Sequence, residues 1–321
     1  MITLFTGAGA SRPFGYPTTP EFFSGKSATT LHLVKHKVYQ NLKTHFAQGT
    51  LDVEDVLRTL QPFADLKDIP TGKFLFPHFQ GRWYQEIPSF ITLVNRACFE
   101  LYGRTPARGE VDKVYRPVLD RLGWGAERVN LFTTNYDPVT DQLLRIADES
   151  GVNCTDGFTR FGIMNSKEYS EIVAGLSIYR LHGSMSWIEK DGEVQNSRDC
   201  DQRARGLSSH LLIYPGFKGN PEENRNSPFA FAHSALRSSL QRSRFGFVTG
   251  FSFRDPHLNE IFDEALRENK RFKLVIWNPE FPVGPETGAT KLKERFSEQV
   301  LHLPYKFGSD EAIHELDKIL A

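Results

Sequence analysis

Two kinds of apolar pattern alternate along the chain. Short, nearly continuous apolar runs bounded by turn residues predict buried strands over residues 2–5, 129–134, 178–181, 211–214, 244–249, 272–277 and 300–303. Between and after them, apolar residues at helical spacing predict helices over 139–148, 229–242, 255–269 and 310–320. Two of these helices are introduced by Asp-Pro pairs, Asp137-Pro138 and Asp255-Pro256, a good cap followed by a good first helical residue. From about residue 31 to 121 the spacing is helical again, as in Val53, Val56, Leu57 and Leu60, or Phe90, Leu93, Val94 and Cys98. Pro62, Pro70, Pro77 and Pro88 divide that region into several short helices. Residues 12–30 predict a loop, 151–175 show no settled period, and 189–206 form a polar excursion.

Strands alternating with helices predict an α/β fold, a Rossmann-like, mostly parallel sheet with helices on both faces. The core is expected over 1–30 and 126–321, with a polar excursion near 151–210, and a mostly helical insertion over 31–125. No internal repeat is visible.

In a parallel sheet, ligands bind beyond the carboxyl ends of the strands. Several predicted strands end in residues suited to binding or chemistry, namely Gly7-Ala8-Gly9-Ala10-Ser11, Thr134-Asn135-Tyr136-Asp137, His182-Gly183-Ser184, Gly250-Phe251-Ser252 and Asn278-Pro279-Glu280. Gly7 and Gly9 let backbone N–H groups approach a diphosphate, and a following helix start adds a positive dipole. A plain tight turn is the other reading. Arg12 stands where the third glycine of a dehydrogenase fingerprint would be, and no strand about 20 residues on supplies a ribose carboxylate, which disfavours hydride transfer. Asp137 equally reads as an ordinary helix cap and Asn135 as a turn residue. His182 is either structural or a proton acceptor at the sheet rim, and Asn278 and Glu280 also suit a solvated turn.

Composition narrows the class. Lys plus Arg and Asp plus Glu each number 39 in 321 residues, so the formal net charge is zero, against a free-standing nucleic-acid binder. Cys98, Cys154 and Cys200 form no Cys-x-x-Cys pair, so neither a disulfide framework nor a four-thiolate zinc site is expected. No apolar run is long enough for a membrane span and no signal-peptide pattern opens the sequence, so a soluble, cytoplasmic protein is expected.

The ordered set Gly7–Ser11, Thr133–Asp137, Leu181–Gly183, Gly250–Ser252 and Asn278–Glu280 resembles that of the sirtuins over nearly the whole chain, with the stretches between unmatched. The phrase Gly250-Phe251-Ser252-Phe253-Arg254-Asp255-Pro256-His257 is similar to a divergent prokaryotic sirtuin-like branch that includes NAD-degrading effectors of anti-phage defence. The sequence departs from the deacetylases in two places. It lacks their two Cys-x-x-Cys pairs, and their Gly-Ile-Pro-Asp-Phe-Arg loop stands only as Gly15-Tyr16-Pro17-Thr18-Thr19, without its Asp and Arg.

The resemblance implies NAD as substrate, no zinc, and an NAD glycohydrolase that releases nicotinamide. His182, Asn135 and Asp137 would be catalytic: His182 as general base, Asn135 orienting ribose hydroxyls or water, and Asp137 with the Tyr136 backbone holding the nicotinamide carboxamide. Gly7, Ala8, Gly9, Ser11, Thr134, Tyr136, Gly250, Ser252, Asn278 and Glu280 would bind the dinucleotide, the diphosphate over the glycine turn and Ser252, the adenosine ribose on Asn278 and Glu280. It further implies a homo-oligomer or a complex with a defence partner, an ATPase or a nucleic-acid-guided protein, with no direct contact to nucleic acid. The alternatives are a protein deacylase, a non-catalytic NAD or ADP-ribose sensor, and an assembly subunit.

Overall fold

The computed structural model describes residues 1–24, 28–45, 51–66, 83–190, 193–196, 210–212, 228–284 and 287–321. The strands are β1 (Ile2–Thr6), β2 (Arg128–Thr133), β3 (Cys154–Thr155), β4 (Gly175–Arg180), β5 (Gly183–Lys190), β6 (Glu193–Asn196), β7 (His210–Leu212), β8 (Phe245–Thr249), β9 (Lys273–Trp277) and β10 (Val300–Leu303). Seven of them form one sheet in the order β10-β9-β8-β1-β2-β4-β3, and every neighbouring pair is parallel. The chain leaves β1 for β2, continues outward to the β4 and β3 edge, then returns to β8 on the other side of β1. The strand order therefore reverses between β1 and β8, and the crevice where such sheets take ligands opens between the loops that follow these two strands.

Period-2 alternation within each strand supplies both faces. Leu4, Leu131, Ile178, Phe247 and Val275 point to one apolar cluster, while Phe5, Phe132, Tyr179, Val248 and Ile276 point to the other. Both sets are apolar because both faces are covered, which is why these strands read as continuous apolar runs. Helices Arg108–Arg121, Val139–Glu149 and Asp310–Leu320 share the first cluster; Pro228–Arg242, Pro256–Glu268 and Gly288–Arg295 share the second. Each large side chain so buried contributes about 1.5–3 kcal/mol.

The helical region between β1 and β2 holds Ala28–Lys35, Lys37–His45, Val53–Leu66 and Ile87–Tyr102 before helix Arg108–Arg121. Its apolar residues, among them Leu33, Val56 and Phe90, belong to the same cluster as Leu4 and Val129, so its interior is continuous with that of the sheet.

The structure departs from the sequence expectation in several elements. Within residues 12–30, 3-10 segments Ala8–Phe14 and Thr19–Ser24 replace the expected loop, held by burial of Phe14, Phe22 and Phe23. Pro62 lies inside helix Val53–Leu66, whose buried Val53, Val56, Leu57 and Leu60 carry it past the missing N–H. Pro88 occupies the second residue of its helix, where no N–H is needed; Pro70 and Pro77 lie outside the described residues. Helix Gly288–Arg295 had no sequence signal, since it buries only Ala289 and Leu292. The strand expected over 211–214 is described as His210–Leu212 and runs antiparallel to β5, in a separate sheet ordered β6-β5-β7; residues 213 and 214 lie outside the described set. Within the polar excursion, β6 continues from β5 as an antiparallel partner, and residues 197–206 are outside the described set.

Candidate functional site

The turns after β1 and β8 interlock. Gly7 N–H donates to the Thr249 carbonyl and Gly9 N–H to the Gly250 carbonyl, both at 2.9 Å. A methyl group on Gly7 would meet the Gly250 oxygen at 2.6 Å, and one on Gly9 the Gly250 Cα at 2.7 Å. The two glycines are thus demanded by the approach of one backbone to another. Their own N–H groups are used inside the protein, so a diphosphate over this turn would be met by other groups of the turn. Asn278 takes part in the same brace: its Oδ1 accepts from Gly250 N–H at 2.7 Å and its Nδ2 donates to the Phe251 carbonyl at 3.4 Å. Glu280, exposed at the rim, remains the polar side chain of that turn with no such commitment to the brace.

The end of β2 supplies the next group. Asn135 N–H donates to Thr133 Oγ1, and its Nδ2 donates to the Gly7 carbonyl at 3.0 Å and to Ser11 Oγ at 2.9 Å. A carbonyl can only accept, so the amide orientation is fixed, and Asn135 Oδ1 is left buried without a partner. Ser11 also hydrogen-bonds Asp137, whose Oδ1 accepts from Val139 N–H at 3.1 Å. Asp137 therefore does hold the first turn of helix Val139–Glu149, in addition to facing the site. Tyr136 offers its carbonyl to Met185 N–H at 2.9 Å, so a carboxamide would have to meet other atoms of this segment.

Burial pushes the Asp137 carboxyl up to about 6, against the lowering effect of the Ser11 and Val139 bonds, with Asp141 nearby adding to the rise. Below about pH 4 this group is protonated whether the chain is folded or not. As the pH rises from about 4 to about 6 the unfolded chain gives up this proton while burial makes the folded chain keep it, so stability falls by on the order of 3 kcal/mol and levels off above that range. Asp137→Asn carries no such charge. It is expected to match the wild type near pH 4 and to exceed it by that amount at pH 7.5, read as urea midpoints at the two pH values. A gap that does not widen between them would remove the buried charge from the account.

His182 follows β4 and is buried; its Nε2 lies 3.5 Å from Asp255 Oδ2. Asp255 Oδ1 accepts from His257 and Leu258 N–H at 3.0 and 3.2 Å, capping helix Pro256–Glu268. One carboxylate thus starts a helix with one oxygen and faces the imidazole with the other. The turn that delivers it contains Phe253, the only non-glycine with a left-handed backbone among the described residues (φ 55°). Such a conformation in a bulky residue costs on the order of 1–2 kcal/mol and clusters at functional sites. Beside it, Arg254 reaches Asp52 Oδ2 at 2.9 Å and Thr19 Oγ1 at 3.3 Å, tying the β8 turn to the helical region. Just before His182, the buried Arg180 binds Asp141 at 2.8 Å, Asp156 at 3.1 Å and Thr140 at 3.2 Å, which fixes the end of β4.

All the anticipated site residues except the buried Gly7 line one cavity of about 1130 Å³ over the β1 and β8 turns. The cavity also takes in Arg12, Asp52, Tyr102, Arg254, Asp255 and Lys306, which sequence reasoning did not assign to it. Asp255 was legible only as a helix cap, because its imidazole partner is distant in sequence. Among the described residues no three His, Cys, Asp or Glu side chains group as metal ligands. Cys98 is buried, Cys154 Sγ donates to the Leu144 carbonyl at 3.5 Å, and Cys200 lies outside the described residues. No described helix is long and apolar enough to cross a membrane.

A doubly covered parallel sheet with a cavity at its switch point, lined by the polar residues of its strand ends, defines an α/β nucleotide-binding class of fold. A family model described as "SIR2-like domain" matches residues 129–299, more than half of the chain. The chain belongs to this SIR2-like family, a family of NAD-dependent enzymes. Solved structures similar to it include a Sir2 enzyme described for its mechanism and regulation (15% identity, TM-score 0.47, covering 100% of this chain and 93% of that one). Another is a Sir2 homologue in complex with NAD (14% identity, TM-score 0.45, covering 100% and 90%). No curated protein matches the chain.

Proposed function

We propose that the protein is an NAD glycohydrolase that cleaves the bond between nicotinamide and ribose. The observation that carries this reading is the convergence of the His182–Asp255 pair, Asn135 and Asp137 on one switch-point cavity, large enough for a whole dinucleotide. In the reaction the C1′–N bond breaks and its electron pair goes to the nicotinamide nitrogen. A water oxygen bonds to C1′ and gives its proton to His182. With Asp255 holding the proton of Nε2, Nδ1 is the nitrogen that carries the lone pair. The transition state resembles an oxocarbenium ion, so positioning around the ribose supplies most of the acceleration. Asp137 would face the carboxamide of the leaving group, and Ser11, Ser252 and Arg254, which line the same cavity, would meet the diphosphate. A role as a regulated defence effector, working in an oligomer or with a partner, is part of this proposal and rests on the sequence resemblance.

The test is nicotinamide release from NAD by the purified chain, with and without an acetyl-lysine peptide. Release without peptide is expected. Release only with peptide would make the protein a deacylase, and tight NAD binding without turnover would make it a sensor.

A further inference from the structure

The helical region contributes a side chain to the cavity that the reaction has not yet used. Tyr102 ends helix Ile87–Tyr102, is almost fully buried, and lines the cavity with a hydroxyl that has no hydrogen-bond partner. In the same cavity, Asn135 Oδ1 is also buried and unpartnered. Buried polar atoms are ordinarily satisfied, and leaving them unmade is unfavourable. Two such atoms on one cavity point to a ligand that serves both. The Tyr102 ring lies 6.4 Å from that of Tyr136, whose ring is in turn 6.4 Å from His182. Tyr136, the chain neighbour of Asn135, thus stands within ring contact of both the phenol and the imidazole.

Burial, with Cys98, Glu54, Asp137 and Asp52 nearby, raises the Tyr102 phenol well above its ordinary range, so it stays a neutral O–H donor. Asn135 Oδ1 can only accept. A carbonyl oxygen would satisfy the tyrosine alone, and an amino group the asparagine alone. An O–H group satisfies both. Resting on the glycohydrolase reading above, we propose that Tyr102 and Asn135 together hold the water that attacks C1′, which makes Tyr102 a substrate-contacting residue supplied by the helical region. The water donates one proton to Asn135 Oδ1 and accepts from Tyr102 with one lone pair. Its other lone pair forms the bond to C1′ as the C1′–nicotinamide bond breaks, and its second proton passes to His182.

Tyr102→Phe tests this, since it keeps the ring and removes only an unpartnered hydroxyl, leaving the melting temperature unchanged or raised. Wild type and variant are given NAD in buffer containing methanol, and methyl ADP-ribose is measured against ADP-ribose. If Tyr102 holds the water, the variant releases nicotinamide about three- to tenfold more slowly, the size of one hydrogen bond. Its KM for NAD is unchanged, and the methanol share of the product rises by a similar factor. An unchanged rate and product ratio in Tyr102→Phe would overturn the assignment of the tyrosine while leaving the glycohydrolase reading intact. A wild type that releases no nicotinamide would overturn both.

Discussion

His182→Ala is expected to slow nicotinamide release from NAD by about a hundredfold or more, the scale of a lost general base, while the dinucleotide still binds. The imidazole lines the cavity, follows directly on a strand end fixed by Arg180, and faces a carboxylate through Nε2. A histidine needed only for packing would show a different pattern, with stability falling and the residual activity per folded molecule unchanged. Asp255→Asn separates the two roles of its carboxylate. Asparagine caps helices as well as aspartate does, so the bonds to His257 and Leu258 N–H survive and the fold is retained. The charge beside the imidazole is lost, and turnover is expected to fall by about tenfold. Calorimetric NAD binding with steady-state nicotinamide release on both variants decides the matter. Full activity in His182→Ala would leave the imidazole a structural group.

The continuous apolar runs that hold Leu4-Phe5, Leu131-Phe132 and Phe247-Val248 are local signals, and the strands they predict stand in the structure within about a residue. The capped helix starting at Pro256 was legible for the same reason, because Asp255 and Pro256 act on their own neighbours. The grouping of strand-end polar residues on one side followed from a parallel sheet having all its carboxyl ends at one edge. What could not be read depends on approach between distant segments. The facing of His182 to Asp255 and of Arg254 to Asp52 joins residues with no common local pattern. Tyr102 belonged to an ordinary helical period and becomes a cavity residue only because its helix ends beside Tyr136. The reverse case is Asn278. The resemblance implied a ribose contact for it, and nothing local in the sequence showed that its amide also spans the two-sided brace around Gly250, which only the packed turns create.

That brace carries the second large effect. Gly250 has φ +66°, and a Cβ on it would stand 2.1 Å from the Ala10 nitrogen and 2.6 Å from the Gly9 carbonyl carbon. These are backbone atoms of the opposing turn, so no side chain can rotate aside. Gly250→Ala therefore adds overpacking of about 1–3 kcal/mol to the left-handed penalty of about 1–2 kcal/mol. The expected loss is about 4–10 °C in Tm. Gly151 supplies the control: its φ is +68° and a Cβ there would meet nothing within 4 Å. Gly151→Ala should incur only the backbone penalty, about 2–4 °C, and leave turnover alone. In Gly250→Ala the loop after β1 has to move away from the loop after β8, taking Asn135's anchor at the Gly7 carbonyl with it, so activity should be lost even in the fraction that remains folded. Thermal melts and nicotinamide release on the two variants side by side test this. Equal losses would mean that the turns do not depend on their contact, and the cavity floor would then need another support.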